Sequence, residues 1–238
     1  MKILLGVPVL YNSHVVRECL NTIINRPNID IICLDNGAEQ SVKDVIQEYG
    51  GLDQLRIISL PNNIYVNPAW NLFMDIFLKD ESYTHIIILN SDLLMNGSWN
   101  NVLTKILSTF PDSIPLPVIS LDKLSVHRHM TTDVAQHEAV FCCTPGVFIC
   151  LNRGHVNIIY PIPEDIKIWH GDEWIYTILR EVGYTTSVYR NLESFHHGST
   201  TLNDLENREG LLEADKKVWA EKIEPMMQEK IKQLKSQQ

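Results

Sequence analysis

The sequence predicts an α/β protein: a single Rossmann-like domain with a mostly parallel central sheet flanked by helices, and a C-terminal helical extension. Three observations predict it. Short apolar runs alternate with amphipathic segments through the first half of the chain, polar clusters close successive apolar runs, and the chain beyond residue 200 turns helical and dense in paired charges. Strand and helix alternating at this spacing build a parallel sheet covered on both faces.

The elements follow in order. Ile3–Val9 is a short apolar run of the kind that forms a fully buried strand. Ser13 is placed to cap a helix whose apolar positions Val16, Cys19, Leu20, Ile23 and Ile24 recur at helical spacing. Ile29–Leu34 reads as the second strand, Ser41–Tyr49 as the next helix, and Gly50-Gly51 as its stop. Leu55–Leu60 is strand three. Pro68–Leu78 is a helix that opens with proline, where a missing N–H costs nothing. His85–Leu89 is an almost pure isoleucine strand, and Trp99–Phe110 the helix after it.

The second half is less regular. Residues 111–117 are proline-rich and extended, and residues 127–137 hold His127, His129 and His137 at no zinc-like spacing. Residues 139–151 suggest a bent strand pair around Thr144-Pro145-Gly146. A helix is expected from about Asp172 to Glu181, ending at Gly183, and a short strand over Thr186–Tyr189. From Asn203 the chain reads as helical, broken by Pro225. Leu211, Leu212, Val218 and Trp219 give this extension an apolar side, which packs on the domain or forms a homodimer.

Composition narrows the function. The chain has 238 residues and a net charge of −9, and the acidic excess lies in its first 200 residues. An acidic body is a poor partner for a phosphate backbone, which argues against general nucleic-acid binding. No apolar run is long enough to span a membrane and no signal-peptide pattern opens the sequence. Cys19, Cys33, Cys142, Cys143 and Cys150 are odd in number and lack a metal-type spacing, so they read as reduced core thiols of a cytoplasmic protein.

Ligands of such sheets bind beyond the carboxyl ends of the strands. Those ends carry Pro8 to Asn12, Asp35-Asn36-Gly37, Asn62-Asn63 and Asn90-Ser91-Asp92. A carboxylate placed like Asp92 either caps the next turn or holds a hard metal ion between phosphates. His196 and His197 are loop histidines or imidazole ligands to a metal that a carboxylate already holds, a donor mix favouring manganese over calcium. Asp172 and Glu173 begin a helix, where one carboxylate caps and the other is free to act as a general base. Trp169 and Trp174 flank that pair as a sugar-stacking platform or as core. Asp35 and Asn36 are placed to bind a base or ribose. No GxGxxG or GxxxxGK[ST] occurs, which argues against dinucleotide-binding and P-loop enzymes.

Val7-Pro8-Val9-Leu10-Tyr11-Asn12, Cys33-Leu34-Asp35-Asn36-Gly37-Ala38, Asn62-Asn63 with Ala69 and Asn71, and Asn90-Ser91-Asp92 follow one another in a familiar order. Together with Thr144-Pro145-Gly146, Gly171-Asp172-Glu173, Gly183-Tyr184 and His196 to Ser199, this order resembles the family 2 glycosyltransferases of the GT-A fold. The resemblance implies a hexosyltransferase-like enzyme with a UDP-sugar donor, a divalent metal ion (Mn2+ or Mg2+) and inversion. It implies a GT-A domain over residues 1–200, with a nucleotide-sugar-binding half (1–110), an acceptor half (111–200) and an extension over 201–238. Pro8, Tyr11 and Asn12 would line the nucleotide pocket and Asp35 would bind the base. Asn63, Ala69 and Asn71 would lie near the diphosphate and donor sugar.

In the same resemblance Asn90, Ser91 and Asp92 occupy the family's DxD motif, with Asn90 replacing its first acid. Asp92 and one of His196 and His197 would hold the metal, and Asp172, or Glu173, would be the base. The acceptor is left open among a glycan, a protein, a lipid head group and a modified nucleic-acid base. A nucleotidyltransferase of similar build is the rival enzyme, although residues 7–12 lack its basic glycine-rich loop. A nucleotide-sugar-binding protein without catalysis is the non-enzymatic rival.

Overall fold

A computed structural model describes residues 1–120, 137–139, 146–198 and 204–237. The main sheet has the order β3-β2-β1-β4-β8. Its strands are β1 (Ile3–Val9), β2 (Ile29–Asn36), β3 (Leu55–Leu60), β4 (His85–Leu89) and β8 (Phe148–Asn152). The first four run parallel and β8 runs antiparallel against β4. Side chains alternate along β1, so Ile3, Leu5, Val7 and Val9 enter one core while Leu4 enters the other. Both faces are thus apolar, which is why these strands read as unbroken hydrophobic runs.

Helices α1 (Ser13–Ile23), α2 (Gln40–Glu48), α3 (Val66–Lys79) and α4 (Trp99–Thr109) match the sequence expectation to within about two residues. Ser13 is not the cap of α1. Asn12 occupies that place in the left-handed region (φ 64°), and its side chain reaches Asp204 instead of the helix. Strand β2 runs two residues further than expected, because Asp35 and Asn36 pair with Ser59 and Leu60 of β3.

A second sheet, absent from the sequence reading, has the order β5-β9-β6, with β7 also paired to β9. It comprises β5 (Leu93–Met95), β6 (Ser113–Ser120), β7 (His137–Ala139) and β9 (Thr185–His196). The short strand expected over Thr186–Tyr189 is therefore the first part of a 12-residue strand. The pairing skips from Tyr189 to Glu193 opposite Pro117 and Val118, a bulge that breaks the alternation on which sequence reading depends. The bent strand pair expected over 139–151 falls partly outside the described residues. The 127–137 histidine stretch is described only at the backbone of His137. Of the cysteines, Cys19, Cys33 and Cys150 are buried free thiols, with burial pushing Cys33 up to about 12. Cys142 and Cys143 lie outside the described residues.

A short helix, α5 (Arg153–Ile159), and α6 (Gly171–Glu181) cover one face, and the C-terminal extension packs over α6. That extension does not break at Pro225. It runs as α7 (Arg208–Val218), a π-helical turn (Trp219–Ile223) and α8 (Glu224–Ser236). Pro225 sits in the first turn of α8, where a missing N–H is tolerated, and Glu224 N–H bonds back to Trp219 C=O. The buried positions are Asp215, Trp219, Ile223, Met227 and Ile231, one every fourth residue. The extension thus spends this face on the domain's own core. No helix among the described residues is long and apolar enough to cross a membrane.

Candidate active site

A cleft opens at the carboxyl ends of β1, β2 and β4, with about 200 Å³ of room. Among its lining residues are Pro8, Val9, Leu10, Asn36 and Asn63. Asn36 Nδ2 donates to Asn63 Oδ1 (2.9 Å), and Asn36 Oδ1 accepts from Ile64 N (2.9 Å), so strand β2 is stitched to the loop after β3. Gly37 (φ 72°) makes this approach possible, since a Cβ there would lie 2.6 Å from the backbone nitrogen of Asn63.

Asn90, Ser91 and Asp92 form the tight link between β4 and β5 and line the middle of the cleft. Asp92 is 4% exposed. Strand register decides what meets it: Leu93 of β5 pairs with His196 of β9, and His197 N donates to the Asp92 carbonyl at 3.0 Å. His196 Nε2 stands 3.2 Å from Asp92 Oδ1. His197, the residue just past the end of β9, turns elsewhere; its Nε2 lies 3.0 Å from Glu18 Oε2 on α1. The register therefore separates the two imidazoles and brings that of His196 to the Asp92 carboxylate.

The third wall comes from α6 and the segment before it. Asp172 lines the cleft with Trp169, Ile168, Trp70, Tyr65 and Gly146. Its Oδ1 accepts from Glu173 N (3.0 Å) and its Oδ2 from Gly146 N (3.1 Å). Burial nevertheless lifts the carboxyl above the ordinary aspartate range, the backbone hydrogen bonds opposing it only in part. Gly146 is where the chain passes closest, for a Cβ would lie 2.6 Å from the Trp70 ring and 3.0 Å from Asp172 Cβ. Gly146→Ala is expected to cost about 1–3 kcal/mol by overpacking, read as a lower urea midpoint at unchanged slope.

Several expected site residues stand apart from the cleft lining. Asp35 is 3% exposed and its Oδ1 accepts from Ala38 N (2.8 Å), so it shapes the turn after β2 while its neighbour Asn36 faces the cleft. Tyr11 lies in an acidic corner, where burial first, then Glu206, Glu39 and Asp204, push its phenol up. Asn12 is tied to Asp204 (2.7 Å), and Leu205 beside it lines the cleft. Ala69 is fully buried under the wall. Asn71 exchanges two hydrogen bonds with the Ile162 backbone, both 2.8 Å. Glu173 turns to His170 Nδ1 (2.8 Å). Trp174 is core, its indole N–H donating to Ile159 C=O, whereas Trp169 faces the cleft.

Sequence reading missed Tyr65, Trp70 and Gly146 as lining residues, although Gly146 stood inside a noted motif. Trp70 lies on the apolar stripe of α3, where nothing local separates a core ring from a cleft wall. It also missed Asp215. That carboxylate is 2% exposed and accepts from three successive backbone amides, Lys167 N (2.9 Å), Ile168 N (2.7 Å) and Trp169 N (2.9 Å). In a helix this rich in charge, it carried no signal that set it apart.

Solved structures share this α/β fold, with its parallel strands converging on a cleft at their carboxyl ends. GalNAc-T7 with UDP, GalNAc and Mn2+ matches with a TM-score of 0.62 and 10% identity, covering 82% of this chain and 43% of that one. S. aureus TarS 1-349 matches with a TM-score of 0.61 and 13% identity, covering 93% of this chain and 73% of that one. A second TarS structure gives 0.62 and 14%, covering 93% and 44%. This chain thus spans less than half the length of GalNAc-T7, and at these identities the likeness shows the fold alone. No curated protein sequence matches. The profile described as Glycosyl transferase family 2 matches residues 6–133, more than half of the chain. The protein belongs to that glycosyltransferase family.

Proposed function

We propose that this glycosyltransferase moves a hexosyl unit from a UDP-linked donor to an acceptor hydroxyl, with inversion and with a divalent metal ion, manganese or magnesium. The observation that carries this reading is charge. Among the described residues that line the cleft are two carboxylates, Asp92 and Asp172, and no Lys or Arg. A diphosphate placed there needs a cation brought from solution. The Mn2+ and UDP named for the GalNAc-T7 structure support the same choice by likeness of fold.

The residues present fit such an ion. His196 Nε2 is buried and makes no hydrogen bond, yet stands 3.2 Å from Asp92 Oδ1. Two ligands held at right angles about 2.1 Å from one octahedral ion lie about 3.0 Å apart. Among the described residues no group of three or more His, Cys, Asp or Glu converges, which suits a site completed by phosphate oxygens and water. Asp92 and His196 would hold the ion, which when bound supplies Lewis-acid stabilisation of the departing diphosphate. His197, engaged by Glu18, is outside this ligand pair.

The half of the chain over residues 1–110 binds the nucleotide through Pro8, Asn36 and Asn63, and residues 111–200 supply the acceptor side. Asp172 accepts the proton of the acceptor hydroxyl as its oxygen attacks the anomeric carbon from the face opposite the diphosphate. The contact of Glu173 with His170 Nδ1 supports Asp172 over Glu173 as the base.

Thermal shift with a panel of UDP-sugars, with and without Mn2+, tests this. A donor at 100 times its Kd is expected to raise the melting temperature by about 5–10 °C, and only when the metal is present. Equal shifts without metal would remove the metal from the reading. No shift with any UDP-sugar would remove the donor.

A further inference from the structure

We infer that Asp215, in the C-terminal extension, is a positioning residue that holds the Asp172 wall of the cleft in its working geometry. The inference rests on the reading of Asp172 as the base. The segment 166–170 leads directly into Gly171 and Asp172, and it has no regular structure of its own. Its backbone groups are nonetheless taken one after another. Asn67 Nδ2 donates to Ile166 C=O (3.3 Å) and Trp169 C=O (2.9 Å), and Asn67 N donates to Lys167 C=O (3.0 Å). The three amides of Lys167, Ile168 and Trp169 all go to the Asp215 carboxylate.

One helical turn beyond Asp215, Trp219 takes the next residue. The His170 ring stacks on its indole at 4.6 Å and 12°, while His170 itself adopts φ 62° at the start of α6. The π-helical turn that begins at Trp219 keeps Asp215, Trp219 and Ile223 on one buried face. Irregular backbone that lines a cleft holds one shape only when its polar groups are satisfied. Here α3 supplies donors to the segment's carbonyls and the extension supplies acceptors to its amides. A carboxylate suits the task because its two oxygens accept several N–H groups at once, which an amide side chain cannot do. Two cleft-lining residues, Ile168 and Trp169, belong to this held segment, and Asp172 follows three residues later.

The experiment measures release of UDP from the UDP-sugar selected by the panel, with Mn2+, in wild type and in Asp215→Asn, Trp219→Leu, Asp172→Asn and Asp215→Asn/Asp172→Asn. Amide hydrogen exchange at residues 167–169 and melting curves accompany the rates. Asp215→Asn is expected to lower kcat by about 10–100-fold through loss of alignment, with KM for the donor within twofold of wild type. Exchange at 167–169 rises, and the double variant is no slower than Asp172→Asn alone. Trp219→Leu gives the same pattern more weakly, so a poorly folding Asp215→Asn leaves a second reading. Wild-type kcat in both variants, or rate losses that add in the double variant, would overturn the inference. If Asp172→Asn itself turns over normally, the base assignment has failed instead, and increased exchange at 167–169 without loss of rate would show a clamp with no catalytic role.

Discussion

Asp172→Asn is expected to slow sugar transfer by about 10²–10⁴-fold, the usual cost of losing a general base, with UDP binding unchanged. Asparagine keeps the shape, although its single oxygen can accept from only one of Gly146 N and Glu173 N, the two amides that hold the carboxylate. What it loses is basicity. Burial raises this carboxyl first and foremost, and backbone hydrogen bonds from Glu173 and Gly146 pull it part of the way back. Only the ionised form accepts a proton, so the rate climbs with pH through a pKa above that of a solvated aspartate. The acid limb of kcat/KM against pH reports this, and it disappears in the variant.

The same shift acts on stability in the opposite sense. The folded chain binds this proton more tightly than the unfolded chain does. Stability is therefore highest below the unfolded pKa and declines as pH rises through the folded one. Asparagine carries no such ionisation cost. At neutral pH that relief opposes the loss of one backbone acceptor, so Asp172→Asn should melt within a few degrees of wild type while being almost inactive. A variant that loses both activity and stability would mark Asp172 as structural, and one with wild-type rate would place the base elsewhere.

The second large effect is expected at Asp92. In calorimetry with UDP, wild type should bind more tightly with Mn2+ than without. Asp92→Ala should abolish that difference, a loss of at least about 10–100-fold, since even outer-shell partners of metal ligands command that much. His196→Ala should follow it. His197→Ala should retain the metal dependence, because its imidazole is held by Glu18 at 3.0 Å. Equal metal dependence in wild type and Asp92→Ala would refute the ligand assignment. If His197→Ala, and not His196→Ala, loses it, the register argument falls.

Local pattern made most of the half over residues 1–110 legible. The strand ends that carry Pro8, Asn36, Asn63, Ser91 and Asp92 were readable because a parallel strand buried on both faces leaves an apolar run that polar residues must close. Glycosyl transfer was equally legible from motif order. The histidines were readable only as a pair. His196 ends β9 and His197 follows it, and only the pairing of Leu93 with His196 turns one toward Asp92 and the other toward Glu18.

By itself, then, the sequence determined the α/β class, the family and the polar strand ends that supply part of the cleft. These follow from periodicity and motif order, which are properties of neighbours along the chain. The tertiary structure alone decided that Asp35 caps its turn and Asn36 faces the cleft, that Trp169 lines it and Trp174 does not, and that Asp215 holds the wall from 48 residues away along the chain. Those outcomes depend on strand register, a bulge in β9 and the docking of a charged helix. All three are set by contacts between distant segments, and a local pattern carries no record of them.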